Sequence, residues 1–361
     1  MKKYDYSLDA IKGFSCLLMI LAHTPLEFSG AIRTFQSIGG FAPVLFFAVS
    51  GVTTIFQIER KDFISLFYFY LSFAILGFSY NAIWHPDLWK NLNSDVPQII
   101  ALGVLTIYLI EKYIKPNLFF YLLLTVVVFI IHFYTSNRIY DFPLKQFIFN
   151  EGGFAFFPWI FTFFTGVIAY RIRNSFNLLF AGISTLLLFI YYLINKGDQL
   201  IVKYDMSIGY FLLSLVIIFL SFYLFRKKQK YSPNNLLIFL GKNSFLFLFI
   251  HLFFINTFVW LHLFKVNYII IWLLVTMLSL IGVKLLPRLN KYIESYFESK
   301  LLWVVLAFAI ITVPLLISST SLVMLIEIFL GILFSLNYKR LTSLTTIKIK
   351  INKASTAKAL E

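Results

Sequence analysis

Long apolar runs, broken at short intervals by clusters of polar and charged residues, recur along almost the whole chain. An α-helix needs about 20 apolar residues to cross a bilayer, and on that measure twelve spans are expected, at roughly 10–28, 38–57, 63–83, 97–111, 118–134, 156–170, 177–194, 207–225, 243–262, 266–285, 300–317 and 321–337. The pattern therefore predicts an all-α, polytopic membrane protein with ten to twelve transmembrane helices. Two spans, the fourth and sixth, are short. No connecting segment is long enough for a soluble domain. Residues 1–340 read as one transmembrane domain, and the polar tail 341–361 is expected to be disordered. The segment KLLPRLNKYIESYFESK, residues 284–300, is expected to lie as an interfacial helix. No internal repeat stands out, which weighs against a transporter assembled from repeats.

Composition strengthens this picture. Of 361 residues, 60% are hydrophobic and 13% charged, with a mean hydropathy of +0.84. Soluble domains carry about twice that share of charge. A net charge of +15 could indicate nucleic acid, but the positions of the cations argue otherwise. With the N-terminus placed inside, 24 of the 31 Lys and Arg residues fall in inner segments and 7 in outer ones. Every inner segment then carries at least two cations, as the positive-inside rule requires. The expected location is a bacterial plasma membrane, with a cytoplasmic N-terminus and no nucleic-acid partner. No cleavable signal peptide is expected, because residues 1–9 are polar and no small-residue cleavage site follows the first run. The single cysteine, Cys16, makes no intrachain disulfide.

Ionisable residues inside the apolar runs carry the candidate chemistry. In LDAIKGFSCLLMILAHTP, residues 8–25, Lys12 marks the inner edge and His23 follows eleven residues later, about 16 Å into the membrane. In the ninth span Lys242 marks the edge and His251 lies nine residues on, at about 13 Å. Two helices of like direction thus carry an imidazole at similar depth, which suits a reaction centre or a proton path. A buried histidine also serves simply to bond a neighbouring helix. Glu27 lies one turn beyond His23 and could orient it, although Pro25 intervenes and Glu27 could equally face outer water. His85, His132 and His262 are expected at the outer interface. Gly39, Gly40, Ser50 and Gly51 in the second span permit either close helix packing or the approach of a thin acyl chain. The inner cations Lys12, Arg60, Lys61, Arg171, Arg173 and Lys242 follow from topology, and would also suit a phosphorylated ligand. The outer segments 84–96 and 135–155 hold acids, amides, Trp and Tyr, fit either for an interface or for a polar ligand. No metal site is expected, because no His–carboxylate cluster recurs on a second helix.

The run LDAIKGFSCLLMILAH resembles the opening of the acyltransferase-3 family and of its relatives, the heparan-α-glucosaminide N-acetyltransferase-like proteins. Its acid, its Lys and a His after ten further residues match the first-helix signature at Asp9, Lys12 and His23. PVLFFAVSGV resembles the family's second-helix segment ending in Ser-Gly. IFLGKNSFLFLFIHLFF resembles its late helix with Gly, a cation, Asn, Ser and a downstream His. FFPWIFTFFTGVIAY is similar to a Phe-Pro-Trp helix of the heparan-type branch. The resemblance covers about 1–262 in scattered blocks. It implies an enzyme moving an acyl group, often acetyl, from cytosolic acyl-CoA to a hydroxyl or amine acceptor at the opposite face. That acceptor is usually a carbohydrate.

By motif position the resemblance makes His23 the base or acyl-handling residue and puts Lys12 near the CoA end. Lys12 stands where Arg is commoner, Glu27 has no certain counterpart, and the outer-loop residues of the heparan branch find no match, so its amino-sugar substrate is not carried over. With this reading, Lys12, Arg60, Lys61, Ser50, Gly51, Lys242, Asn243 and Ser244 are the candidates for binding acyl-CoA. Ser50, Asn243 and Ser244 are also the candidate donors to a developing oxyanion. His23 and Glu27 are the candidate catalytic pair, with His251 as a second site histidine, and an oligomer is compatible with all of this. The rival expectations are a proton-coupled transporter or lipid-linked-sugar flippase, in which the two histidines would carry protons, and a membrane protein without catalysis.

Overall fold

The computed structural model describes residues 4–24, 36–85, 94–135, 145–149, 153–195, 201–204, 206–227, 232, 234–262 and 268–345. Among the described residues these α-helices follow in order: α1 (Tyr6–His23), α2 (Ala42–Ile58), α3 (Phe63–Trp84), α4 (Val96–Leu109), α5 (Leu118–Thr135), the single turn α6 (Lys145–Ile148), α7 (Phe156–Arg171), α8 (Asn174–Ile194), α9 (Ile208–Lys227), α10 (Leu236–Lys242), α11 (Ser244–Trp260), α12 (Tyr268–Asn290), α13 (Lys300–Leu316) and α14 (Thr320–Thr345). There is no strand among the described residues. Each of the twelve expected spans overlaps one of these helices. Among the described residues, eight segments can cross a membrane by length and composition, and the bent pair α10–α11 makes a ninth. Helix α1, which carries Asp9, Lys12 and His23, and the shorter α7 and α13 lie outside that set. The chain is a multi-pass integral membrane protein.

Helix starts follow local chemistry. Asp5, Asp62, Asp95 and Asn235 each stand just before an apolar run and accept a backbone N–H of the first turn, a bond that satisfies an otherwise orphaned donor. Helix α4 ends through a π turn, Ile110–Ile114, and Lys115 closes it at φ 50° before Pro116. The expected interfacial helix over 284–300 does not form as a separate element. Its first part prolongs α12 to Asn290, and Glu294–Glu298 is a short 3₁₀ turn.

Two helix crossings set the core, and both are built from paired glycines. A Cβ on Gly13 of α1 would collide with the Leu237 carbonyl of α10, and one on Gly241 of α10 would collide with the Asp9 carbonyl of α1. Likewise Gly51 of α2 meets the Phe163 carbonyl of α7, and Gly166 of α7 meets the Ala48 carbonyl of α2. Small residues let helix backbones touch where no water is present to drive association. Cys16 lies in the first crossing, buried, with Sγ 3.9 Å from the Leu240 carbonyl. Immediately after Lys242 the chain bends by 93° at Asn243, so that α11 leaves the crossing in a new direction. Asn243 Nδ2 donates to the Phe239 carbonyl at 2.8 Å and covers one acceptor at the break.

Helix α14 packs along α3 and against α11. Ser79 of α3 donates to the main-chain carbonyl of Glu327 at 2.8 Å, while both carboxyl oxygens of Glu327 are buried and find no hydrogen-bond partner among the described residues.

Two stability outcomes follow. Gly241→Ala should cost about 1–3 kcal/mol, the range for overpacking, whereas Gly182→Ala, where nothing lies within 4 Å, should gain up to about 1 kcal/mol from helix propensity. Thermal unfolding in nanodiscs measures both, and equal midpoints for the two variants would contradict the crossing. Glu327→Leu should leave the unfolding midpoint unchanged or raise it, since an unsatisfied buried acceptor costs about 1–3 kcal/mol. A marked fall would reveal a partner for this carboxyl.

Candidate active site

Helix α1 is the axis of the site. Its first turn is anchored by Asp5, which accepts the Ser7 N–H at 2.9 Å, the Ser7 hydroxyl at 2.6 Å and the Tyr170 hydroxyl at 3.2 Å. Asp9 is almost fully buried. It receives the Tyr4 hydroxyl at 2.5 Å and pairs with Lys12 Nζ at 2.8 Å. At the other end, Thr24 donates to the Ile20 carbonyl and Gln36 Nε2 to the Thr24 carbonyl, fixing the last turn that carries His23.

His23 Nδ1 lies 2.8 Å from His251 Nε2, with the two rings almost parallel at 14°. His251 Nδ1 lies 2.9 Å from the Phe247 carbonyl. A carbonyl only accepts, so His251 Nδ1 carries a proton. A neutral imidazole has one donor and one acceptor nitrogen, which makes His251 Nε2 the acceptor. His23 Nδ1 must then donate, and the lone pair of His23 Nε2 is left outward. The Tyr80 hydroxyl approaches that nitrogen at 3.3 Å, a long bond that an incoming hydroxyl can displace. The Trp84 ring lies 5.1 Å from the His23 ring, close enough to stabilise a positive imidazole through its π face. His251 is fully buried, whereas His23 is partly open.

That opening is a cavity of about 610 Å³, within the usual size range of small-molecule sites. Lys12, Tyr70 and Ser244 line one end of it. Ser50, Tyr80 and His23 line its middle, and His85, Asp95, Lys203 and Tyr204 the other end. It follows α1 from Lys12 to Thr24, a rise of about 18 Å.

Of the residues the sequence singled out, this geometry brings together Lys12, His23, Ser50 and Ser244 on the cavity wall, with His251 directly behind His23. Other candidates have different surroundings. Gly51 is packed against Phe163 in the second crossing, and Asn243 bonds its own helix. Lys61 lies over the Phe69 ring at 5.2 Å, in the turn that also holds Arg60, and Lys242 lies over Tyr4 and Tyr6 at 5.6 and 5.0 Å. Arg171 pairs with Glu111 at 2.6 Å. Of the cations named as phosphate ligands, Lys12 lines the cavity and these do not. Glu27 falls outside the described residues.

Tyr80, Trp84, Asp95 and Lys203 were not picked out as site residues. Trp84 and Asp95 belong to the outer segment already noted as fit for a polar ligand, and Lys203 counted only as an outer cation. Asp95 caps α4, accepting the Val96 N–H at 2.6 Å. Burial pushes its carboxyl up to about 6, although the Val96 N–H and the Lys203 ammonium act the other way. Burial also pushes Lys203 down to about 8, against the pull of Asp95.

In comparison with known families, residues 5–286 match the model of an acyltransferase domain. No curated protein and no solved structure matches.

The shifted Asp95 predicts a pH effect on stability. Its folded value stands above that of an unfolded carboxyl, near 4, so the folded state holds the extra proton between these values. The stabilisation is full below about pH 4 and is lost as pH rises through about 6. Asn caps a helix as well as Asp does, so Asp95→Asn should flatten this part of the profile. Parallel unfolding profiles for the two proteins between pH 4 and 7 would contradict the assignment.

Proposed function

The chain belongs to the acyltransferase-3 family, and from that premise we propose that it transfers an acyl group, acetyl in the simplest case, from cytosolic acyl-CoA to a hydroxyl or amine of a carbohydrate-type acceptor reaching the opposite face of a bacterial plasma membrane. The observation that carries this reading is the wiring of His23: its Nδ1 is engaged by His251 and its Nε2 lone pair is turned to a cavity with polar groups at both ends. The Lys12 end is assigned to the cytoplasm by the excess of cations in the segments on that side.

The residues fit a thioester donor with a long flexible arm. The phosphates of such a donor cannot cross hydrocarbon and stay at the cytoplasmic mouth, where Lys12 and Ser244 are the cavity-lining donors. The apolar walls from Phe73, Phe46 and Leu248 accept the arm without demanding hydrogen bonds. His23 Nε2 removes the proton of the acceptor O–H or N–H as that atom attacks the thioester carbon. The new acyl–oxygen or acyl–nitrogen bond forms, the carbon–sulfur bond breaks, and the proton passes from His23 Nε2–H to the leaving thiolate. The charge held in between lies against the His251 lone pair and the Trp84 ring. Once displaced from Nε2, the Tyr80 hydroxyl is the nearest donor for the developing oxyanion, with Ser50 and Ser244 on the same wall. The Phe-Pro-Trp segment that resembles the heparan-type branch packs in the core, with Trp159, Phe161 and Phe163 fully buried. The amino-sugar substrate of that branch is therefore not carried over.

The test uses the full chain in nanodiscs with acetyl-CoA and follows release of free thiol. His23→Ala should lower kcat by about 10²–10⁴-fold, the usual worth of a general base. His251→Ala should lower it by about 10²-fold through misorientation, with KM for acetyl-CoA little changed. Unaltered turnover in His23→Ala would remove the assigned base. Solute counterflow in liposomes without any thiol release would favour a proton-coupled transporter or flippase.

A further inference from the structure

Lys203 is the charged cavity residue that the transfer step leaves without a task. It lies between α8 and α9, where Ser207 closes the turn by donating its N–H to the Val202 carbonyl at 3.1 Å and accepting the Val202 N–H at 3.0 Å on its hydroxyl. The Lys203 ammonium sits 4.8 Å from the centre of the Phe154 ring and 4.9 Å from that of Tyr204. Phe154 is itself fixed. Its N–H donates to the Ser94 carbonyl at 3.2 Å, and its ring packs on Trp159 at 4.7 Å. Two aromatic faces thus locate the ammonium. Among the described residues Lys203 forms no ion pair. The other charge at this end, Asp95, is engaged in capping α4. A lysine that merely anchored a loop at the interface would turn its ammonium to water. Lys203 instead lines the same cavity as His23.

We propose that this end of the cavity is the acceptor subsite, and that Lys203 selects a carbohydrate-type acceptor bearing an anionic group, a carboxylate or a phosphate, close to the hydroxyl or amine that is acylated. The Tyr204 ring beside it and the Trp84 ring against His23 line the same cavity and offer flat apolar faces on which a sugar ring packs. Asp95 acts on the ammonium only from beyond ion-pair distance, so an anion there meets the ammonium directly and holds the acceptor by a charge-assisted hydrogen bond. The proposal rests on the transferase reading for the meaning of the acceptor, but its binding chemistry can be measured without catalysis.

The experiment titrates the full chain in nanodiscs, without donor, with sodium glucuronate, glucose 6-phosphate and glucose, and follows tryptophan fluorescence. At least one of the two anions should bind tenfold or more tightly than glucose, and which one does so separates a carboxylate from a phosphate acceptor. Lys203→Gln should bring the ratio of anion to glucose affinity close to one, and Lys203→Arg should preserve it. A purely structural role would weaken all three probes together and leave the ratio unchanged, which overturns the proposal. So does equal binding of anions and glucose by the unaltered protein, or no binding of either anion. If the anion preference holds but no probe stimulates thiol release from acetyl-CoA, the transferase reading fails and the subsite stands.

Discussion

The hydrogen bond from His23 Nδ1 to His251 Nε2 is the interaction on which the arrangement of the site depends, because it decides which nitrogen faces the cavity. It needs two helices that start far apart in the chain to deliver a side chain to the same point. The paired-glycine crossing of α1 and α10 provides the common origin. His23 lies ten residues beyond Gly13 and His251 ten residues beyond Gly241. Gly13 to His23 is an unbroken rise of about 15 Å along α1, whereas the second path turns by 93° at Asn243 and rises about 10 Å from Ser244 to His251. The break at Asn243 is what lets α11 run beside α1 from that origin, since a straight helix continued from α10 would carry His251 away. Irregular backbone at membrane depth is tolerated where it borders protein or a cavity, and Ser244 at the break does line the cavity.

This geometry explains why some of the site was legible in the sequence and some was not. Helical rise is local and constant, so counting from Lys12 was enough to place His23 along α1; the count from Lys242 assumed a straight helix that the bend at Asn243 breaks, yet the two imidazoles meet. Rotation about the helix axis is not local. Helix α3 is apolar all round, and nothing in FAILGFSYNAIW says that Tyr80 and Trp84, rather than Phe78 or Ile83, face α1. Glycine posed a similar ambiguity. Gly51 suits a lipid-like arm or a helix neighbour equally well until its partner carbonyl is known. The positions of the helices were readable because hydropathy is averaged over many residues. The number that cross was not, since α1, α7 and α13 place polar groups or few residues where a standard span has twenty apolar ones.

The cations show the same division between a general rule and a particular partner. The segments that the positive-inside rule expects to be inner ones are rich in Lys and Arg, and such residues find local uses once folded. Arg171 closes on Glu111, Arg226 donates to the Ala169 carbonyl at the end of α7, and Lys242 lies on two tyrosine rings. A charge count therefore reports ligand contacts poorly. Lys12 differs because its one turn of separation from Asp9 lets it be paired and still line the cavity.

Helices α13 and α14 lie beyond the family match, which ends at 286, yet they bear on the site from behind. Gly331 of α14 receives the ring of Phe249, two residues before His251, and Phe245 of α11 packs between Phe73 of α3 and Tyr338 of α14. Ser79, the neighbour of Tyr80, is bonded to the α14 backbone at Glu327. The two helices that face His23 are thus held on their far sides by one element. A hydrogen bond of 2.8 Å between side chains on separate helices survives only if both backbones are kept from drifting, and dispersion contacts weaken steeply with a gap of even half an ångström. Helix α14 supplies that restraint through packing, and among the described residues none of its side chains bonds His23 or His251.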